Sequence, residues 1–251
     1  MLKAVLLDLS GVLYQGNSAL PGAVPAVQAL REAGLPLRFV TNTSRRSQRQ
    51  LLDDLARRGF QVHENELFSA PRAAGQWLRQ RQLRPWCLIH PDLEPDFADL
   101  DQHNPNAVLV GDAAQRFDYH RLDQAFRLLE QGAPLVATGI NRHFQLDDGL
   151  HLDAGPFVRA LEYAADCRAT VTGKPSPSFF AEVMASLDCP PGDALMVGDD
   201  ALNDVQGALD AGLQGALVST GKYRRGDEQC IQGDFLLCPD LAALITDLKL
   251  R

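Results

Sequence analysis

The sequence predicts an α/β protein whose parallel sheet carries helices on both faces, with a second, smaller α/β unit inserted into it. Three observations predict this fold. Short apolar segments alternate with segments of helical spacing. The middle of the chain has a run of strands and helices of its own. Polar residues directly follow several predicted strands, at the edge where parallel sheets bind ligands. With 251 residues the chain can form one large domain or two unequal ones.

The first half of the main sheet begins at Leu2–Leu7, a short apolar run suited to a strand buried on both faces. The segment "GAVPAVQALREAG" has helical spacing, and Gly34 ends that helix. A second strand is predicted in "PLRFVTN". A second helix follows in "SQRQLLDDLARRG", with Ser47 as its N-cap and Gly59 at its end.

The second half of the sheet is predicted from a helix that starts at Ser176, a strand in "ALMVGDD", a helix in "NDVQGALDAG" and a strand in "LQGALVSTG". The middle of the chain contains "PWCLIHPDL", "NAVLVGD", a long helix through "RLDQAFRLLEQG", and "PLVATG". We therefore divide the chain into a first core segment at 1–74, an inserted unit at 75–167 and a second core segment at 168–251.

Composition narrows the class of protein. The net charge of −8 argues against a nucleic-acid partner, because such proteins usually carry a basic face. No apolar stretch approaches the roughly 20 residues of a membrane span, which excludes a membrane partner of that kind. Five scattered cysteines without metal-binding spacing indicate reduced thiols. We expect a cytoplasmic protein.

Four polar clusters fall at or just beyond predicted strand ends or before a helix. They are Asp8 with Ser10, Thr41 with Asn42, Lys174, and Asp199 with Asp200 and Asp204. Each cluster alone is more simply explained as a turn, a helix cap or a solvated side chain. The functional interpretation depends on the set, because all four belong to one predicted edge of one sheet.

The chemistry that suits this set is phosphoryl transfer. A phosphate ester needs its charge offset and its phosphorus attacked in line. Mg²⁺ prefers oxygen ligands, typically one or two carboxylates, which Asp8 and Asp199 could supply. Lys174 and Thr41 could hold the phosphate, and Asp8 could attack it to form an aspartyl phosphate.

The motifs "DLSGVLY", "VTNTS", "GKPSPSFF" and "VGDDALNDVQGA" resemble, in this order, the four motifs of the haloacid dehalogenase (HAD) superfamily. The resemblance covers nearly the whole chain. It implies a Rossmann-like core, and the insertion is similar to the large α/β cap of subfamily IIA. Within the insertion, "LDAGPFVRALEYAADC" most resembles the group that includes the phospholysine phosphohistidine inorganic pyrophosphate phosphatases.

The resemblance implies a role for each site residue. Asp8 would be the nucleophile, and Mg²⁺ would be bound by Asp8, Asp199 and the backbone carbonyl of Ser10. Lys174 would pair with Asp8 and the phosphate, and Asp200 and Asp204 would support the metal site from outside. Substrate contacts would come from Thr41, Asn42, Ser44 and Lys174. The segment "HLDAGPF", with Asp153, is equally well explained as a substrate-facing cap surface or as a turn and helix cap.

Ser10 is the departure from the superfamily pattern, because most HAD phosphatases carry a second aspartate there as general acid and base. A serine hydroxyl is too weak an acid for that role, although the backbone carbonyl can still bind a metal. Loss of such a group typically costs ~10²–10⁴-fold in rate. The group named above also resembles this chain in carrying serine here. We therefore expect substrates with good leaving groups, such as pyrophosphate, phosphoramidates or aryl phosphates.

Alternatives remain at this stage. Ser10 also fits a catalytically weak phosphate-binding or regulatory protein. A dinucleotide-binding oxidoreductase is disfavoured because no G-x-G-x-x-G follows the first strand. A receiver-type phosphoacceptor would place its aspartate on a middle strand and leave no room for an insertion. The sequence determines neither the physiological substrate nor the oligomeric state, although an apolar cap surface could support a homodimer.

Overall fold

The computed structural model describes residues 2–146 and 149–248, and it has the predicted alternation of strands and helices. Its strands are β1 (Ala4–Asp8), β2 (Tyr14–Gln15), β3 (Ser18–Ala19), β4 (Leu37–Thr41), β5 (Leu67–Ser69), β6 (Pro85–Leu88), β7 (Ala107–Val110), β8 (Leu135–Ala137), β9 (His143–Leu146), β10 (Gly149–Leu152), β11 (Thr170–Val171), β12 (Ala194–Gly198), β13 (Gln214–Val218) and β14 (Leu236–Cys238).

The described residues also form eight α-helices. They are α1 (Ala23–Glu32), α2 (Gln48–Arg57), α3 (Ala70–Gln80), α4 (Tyr119–Glu130), α5 (Ala154–Ala164), α6 (Pro177–Ala185), α7 (Gly207–Asp210) and α8 (Leu241–Asp247). The predicted late helix begins as a π-helical turn at Ala201–Gln206 and continues as α7. No helix in the described part of the chain combines the length and the apolar character that a bilayer crossing requires.

The chain forms two compact units. The first comprises Met1–Thr41, Leu51–Phe68 and Lys174–Arg251, and the second comprises Asn42–Gln50 and Ser69–Gly173. These bounds differ from the sequence-based division at 74/75 and 167/168. Helix α3 belongs to the second unit because its apolar face, including Ala74 and Leu78, packs in a core with Leu109.

The first unit contains a six-stranded sheet in the order β14-β13-β12-β1-β4-β5. The pairs from β14 to β4 are parallel, as predicted. All five residues of β1 are buried, because helices cover both faces of a central parallel strand. The predicted N-cap of α2, Ser47, accepts a hydrogen bond at its Oγ from the amide of Gln50 at 3.3 Å. Gly59 follows α2 with a φ of +92°, which glycine adopts without strain.

The second unit has its own four-stranded sheet in the order β11-β8-β7-β6 and an antiparallel pair, β9 with β10. The sheet pairs are parallel, and every residue of β7 is buried. This arrangement confirms the predicted α/β fold class. The sequence prediction did not include the short strands β2, β3, β5, β9, β10, β11 and β14.

Candidate active site

The carboxyl ends of adjacent strands bring the predicted site residues of the first unit together. Asp8 ends β1, Thr41 ends β4, and Asp199 directly follows β12. The register pairs Asp8 with Val40, and Leu7 with Val197, so the three strand ends lie side by side. Parallel strands all present their carboxyl ends at one edge, which is why polar residues distant in sequence converge here.

Lys174 is buried against two of these carboxylates. Its Nζ lies 2.5 Å from Asp8 Oδ1 and 2.6 Å from Asp204 Oδ1. Burial lowers the pKa of the Lys174 ammonium, but the negative charges of Asp204 and Asp8 outweigh burial and raise it. Lys174 is therefore a fixed cation beside the predicted nucleophile.

Carboxylates outnumber cations inside the site. Asp8, Asp199 and Asp204 are all buried, and each offers one oxygen within 4.8 Å of the others. Against these three carboxylates stands the single buried ammonium of Lys174, which leaves a formal excess of two negative charges. Burial, and then the charges of Asp8 and Asp204, raise the pKa of Asp199 well above its usual range. A divalent cation would offset this excess.

Asp199 presents one oxygen that is ready to bind a cation. Its Oδ2 accepts a hydrogen bond from the backbone N–H of Lys222 at 2.6 Å. Its Oδ1 is buried and has no hydrogen-bond partner among the described residues. An unpaired buried carboxylate oxygen is costly, and metal coordination is the usual way in which such an oxygen is satisfied. The donor set, carboxylate oxygens without histidine or cysteine, suits Mg²⁺.

Two glycines allow the backbone to approach Asp199 closely. Gly11 (φ +91°) and Gly221 (φ +63°) lie against each other, and a Cβ on either would overlap the Asp199 carboxylate. The hydroxyl of Thr220 donates to the carbonyl of Gly11 and ties the two loops together. The loop after β13 is therefore part of the site.

Asp200 positions Asp204 by shaping the turn between them. The Asp200 side chain accepts hydrogen bonds from the amides of Leu202 and Asn203, at 3.2 and 2.9 Å. Its own amide donates to Asp204 Oδ2 at 3.1 Å. Burial raises the pKa of Asp200, but the Asn203 amide and nearby cations outweigh burial and lower it. This hydrogen bonding is compatible with the supporting role that the sequence predicted for both residues.

Ser10 lies two residues beyond β1, and its side chain is exposed. It forms an isolated bridge with Tyr14, and Gly11 N–H donates to the Tyr14 carbonyl at 2.7 Å. These contacts close the loop after Asp8 into a tight turn. The Ser10 side chain adds only a hydroxyl at this position, which supplies no acid at neutral pH.

The remaining predicted residues, Asn42, Ser44 and Asp153, belong to the second unit. Ser44 is buried, and its Oγ accepts a hydrogen bond from the Asp112 amide at 3.0 Å. Asp153 caps α5 by accepting from the Ala154 amide at 2.7 Å. Both therefore have structural contacts within their own unit, and their substrate contacts, like that of Asn42, stay predictions.

Lys222 is a site residue that the sequence reasoning missed. It follows β13, and its Nζ lies 3.8 Å from Asp200 Oδ2. The signal was present in "LVSTGK", where polar residues follow a predicted strand just as they follow β1, β4 and β12.

Two family profiles match the chain. The profile described as haloacid dehalogenase-like hydrolase matches residues 5–102, and a second, HAD-hydrolase-like profile matches residues 171–244. The matched segments contain Asp8, Thr41, Lys174 and Asp199. The resemblance inferred from the four motifs is thereby confirmed.

Individual proteins are similar over most of the chain. Haloacid dehalogenase-like hydrolase domain-containing protein 2 of Rattus norvegicus is 48% identical over 231 residues, which cover 92% of this chain and 89% of the relative. The phospholysine phosphohistidine inorganic pyrophosphate phosphatase of Xenopus laevis is 44% identical over 90% of this chain and 87% of its own length. The crystal structure of a 4-nitrophenylphosphatase from Thermotoga maritima superposes with a TM-score of 0.90 at 25% identity, covering 98% of this chain and 97% of that one.

Proposed function

Because this chain belongs to the haloacid dehalogenase-like hydrolases, we propose that it is a Mg²⁺-dependent phosphohydrolase that works through an aspartyl phosphate on Asp8. The observation that carries the proposal is the site around Asp8. A buried ammonium holds one oxygen of Asp8, and the buried Asp199 oxygen nearby has no partner within the described chain. A buried cation that lies beside a carboxylate oxygen without a partner is suited to binding a phosphate group and a metal ion together.

Asp8 would act as the nucleophile. One carboxylate oxygen attacks the phosphorus, the bond from phosphorus to the leaving group breaks, and its electron pair stays with the leaving group. Water then attacks the phosphorus of the aspartyl phosphate, which releases inorganic phosphate and restores Asp8. Lys174 offsets the negative charge of Asp8 and of the transferred phosphoryl group.

Asp8, Asp199 and the Ser10 carbonyl would hold the metal ion, with Asp204 directed toward them by Asp200. When bound, Mg²⁺ supplies positive charge that neutralises phosphate oxygens and lets a carboxylate approach an anion. The excess of buried negative charge supports such an ion at this position.

Substrates with good leaving groups fit the site best. Ser10 provides no proton for the departing atom, so the leaving group must be stable without one. The names of two similar proteins agree with a preference for good leaving groups. One is called an inorganic pyrophosphate phosphatase and the other a 4-nitrophenylphosphatase. We infer that phosphoanhydrides, phosphoramidates or aryl phosphates are the substrate class.

The second unit would serve as the cap that selects the substrate. The chain first enters this unit directly after Thr41 and finally leaves it directly before Lys174, so two of its four crossings adjoin site residues in sequence. Its own sheet and core support an independent folding unit rather than a loop. The cysteines form no disulfide among the described residues, which fits the cytoplasmic location that we propose.

A catalytically weak phosphate-binding protein is the alternative that Ser10 favours. Turnover of 4-nitrophenyl phosphate with Mg²⁺ separates the two. We expect wild-type turnover, loss of at least ~10³-fold in Asp8→Asn, and full activity in the control Asp193→Asn, a partly exposed acid that pairs with Lys3. Beryllium fluoride with Mg²⁺ should inhibit the wild type and form an adduct at Asp8. Turnover by Asp8→Asn at the wild-type rate, or an adduct on another residue, would rule out the nucleophile role.

A further inference from the structure

The loop after β13 places a second lysine at the edge of the site, and we propose that Lys222 binds the leaving phosphate of phosphoanhydride substrates such as pyrophosphate. This inference rests on the proposed function, because it assigns the second phosphate of a substrate whose first phosphate meets Asp8. Lys222 would thus be a further substrate-binding residue, specific for phosphoanhydrides.

The backbone fixes the position of Lys222. Its N–H donates to Asp199 Oδ2 at 2.6 Å, and the preceding residue, Gly221, lies against Gly11 so closely that neither tolerates a Cβ. The Thr220 hydroxyl also donates to the Gly11 carbonyl. These contacts hold the backbone of Lys222 next to the Asp199 carboxylate. The Lys222 side chain therefore starts from a defined position at the edge of the site.

The ammonium of Lys222 is available, in contrast to that of Lys174. Lys174 is 3% exposed and committed to Asp8 and Asp204. The Lys222 side chain is 57% exposed, and its Nζ forms an ion pair with Asp200 Oδ2 at 3.8 Å. A half-exposed pair at that separation contributes little, so an incoming phosphate can replace Asp200 at small cost.

A cation at this position compensates for the general acid that is missing at position 10. When pyrophosphate reacts, the bond between the transferred phosphorus and the bridging oxygen breaks, and its electron pair stays on the departing phosphate. No side chain at position 10 can protonate that oxygen. The permanent positive charge of Lys222 can stabilise it, since fixed charges aimed at developing negative charge lower the barrier without a proton transfer. A nitrophenolate leaving group lacks the phosphate oxygens that an ammonium binds.

The test compares Lys222→Met with Lys222→Arg and with the control Lys3→Met. Lys3 is a matched lysine because its side chain is 55% exposed and pairs with Asp193. The substitution at 222 keeps the backbone hydrogen bond to Asp199, and equal thermal midpoints would verify folding. We measure kcat/KM for pyrophosphate and for 4-nitrophenyl phosphate with Mg²⁺. The pyrophosphate-to-nitrophenyl ratio should fall roughly 10- to 100-fold in Lys222→Met, the size of one charged hydrogen bond.

Lys222→Arg should keep most of the ratio, and Lys3→Met should leave both activities unchanged. An equal loss for both substrates would mean that Lys222 only supports Asp199, and an unchanged ratio would mean that it contacts no leaving phosphate. Either result overturns the proposal.

A binding measurement separates this inference from the proposed function. Calorimetry with Mg²⁺ compares methylenediphosphonate, which cannot be hydrolysed at its bridge, with inorganic phosphate. Lys222→Met should weaken methylenediphosphonate binding roughly tenfold or more and phosphate binding much less. This readout holds even if the protein turns over no substrate, in which case only the proposed activity fails. Equal effects on the two ligands, or no wild-type binding of methylenediphosphonate, would contradict the role of Lys222.

Discussion

Lys174 Nζ lies 2.5 Å from Asp8 Oδ1, and both groups are withdrawn from solvent at the end of the central strand. The two residues are 166 positions apart in sequence, so the contact exists only because both segments reach the same edge of the sheet. A buried ion pair is strongly destabilised when one partner is removed, since the other charge then stays buried without compensation. The pair therefore links the stability of the first unit to the chemistry of its site.

Replacing Lys174 by methionine should destabilise the protein and abolish turnover. The variant buries three carboxylates with no cation, and we expect a loss of about 3–5 kcal/mol in the free energy of unfolding. Urea unfolding in excess EDTA measures this loss, with Lys3→Met as the surface control. Added Mg²⁺ should restore part of the stability, because an ion that binds only the folded state shifts unfolding. A Lys174→Met protein as stable as the wild type would contradict this account of the pair.

Asp199→Asn should weaken Mg²⁺ binding while preserving the fold. The carboxamide can still accept the Lys222 N–H, but it removes one negative charge from the cluster. We expect at least a tenfold loss of Mg²⁺ affinity, roughly the lower limit seen when groups around a metal are altered. Calorimetric Mg²⁺ titration measures it, and Asp193→Asn is the matched control. Undiminished phosphatase activity in excess EDTA would exclude the metal role of Asp199.

The free energy of unfolding of the first unit should depend on pH through the carboxylate of Glu66. Burial raises the pKa of Glu66, but hydrogen bonds from Arg31 and from the His63 amide outweigh burial and lower it from 4.5. Both carboxylate oxygens accept from Arg31 at 2.7 Å. Because the folded pKa lies below the unfolded one, the stabilisation is complete above the unfolded pKa and is lost as pH falls through the folded pKa.

The variant Glu66→Gln should therefore be less stable than the wild type by about 1–2 kcal/mol at neutral pH. That difference should shrink as the pH falls below the unfolded pKa of glutamate, about 4.3, and on through the lower folded pKa of Glu66. Urea unfolding at several pH values checks this, and the exposed Glu64→Gln serves as the control. A difference that stays constant down to low pH would show that the ionised form of Glu66 contributes nothing.

Much of the site could be predicted from the sequence because its residues follow apolar strands directly. Asp8, Thr41 and Asp199 each stand at a strand end, and parallel pairing brings such ends together whatever the loops between them. Lys174 lacked that signal, since it precedes a helix; its phosphate-binding role was inferred from the chemistry of the whole polar set, and the resemblance then implied its pairing with Asp8. The structure then supplied what the sequence lacks, namely the buried contact of Lys174 with both Asp8 and Asp204.

Other features could not be predicted because their cause is tertiary. The strand-end position of Lys222 is visible in the sequence, but the contact of its loop with Gly11 and Asp199 is visible only in the structure. Strand β14 is only three residues long, which is too short an apolar segment to identify as a strand, and two of its residues, Leu236 and Leu237, are exposed. The unit boundary near Ser69 depends on how α3 packs, because an amphipathic helix fits either unit by its sequence alone.

The serine at position 10 leaves the site without a general acid there. The loose transition state of phosphoryl transfer puts much of the charge change on the leaving atom, so rates should fall steeply as the pKa of the leaving group rises. Aryl phosphates and pyrophosphate should exceed alkyl phosphates by at least ~10²-fold, the low end of a general-acid contribution. Ser10→Asp should flatten that dependence, because its carboxylic acid can protonate the leaving oxygen. Plots of log kcat/KM against leaving-group pKa for both forms measure the slopes, and unchanged Mg²⁺ affinity serves as the control. A flat wild-type plot would mean that another acid supplies the proton, such as Asp153 or His143 of the second unit.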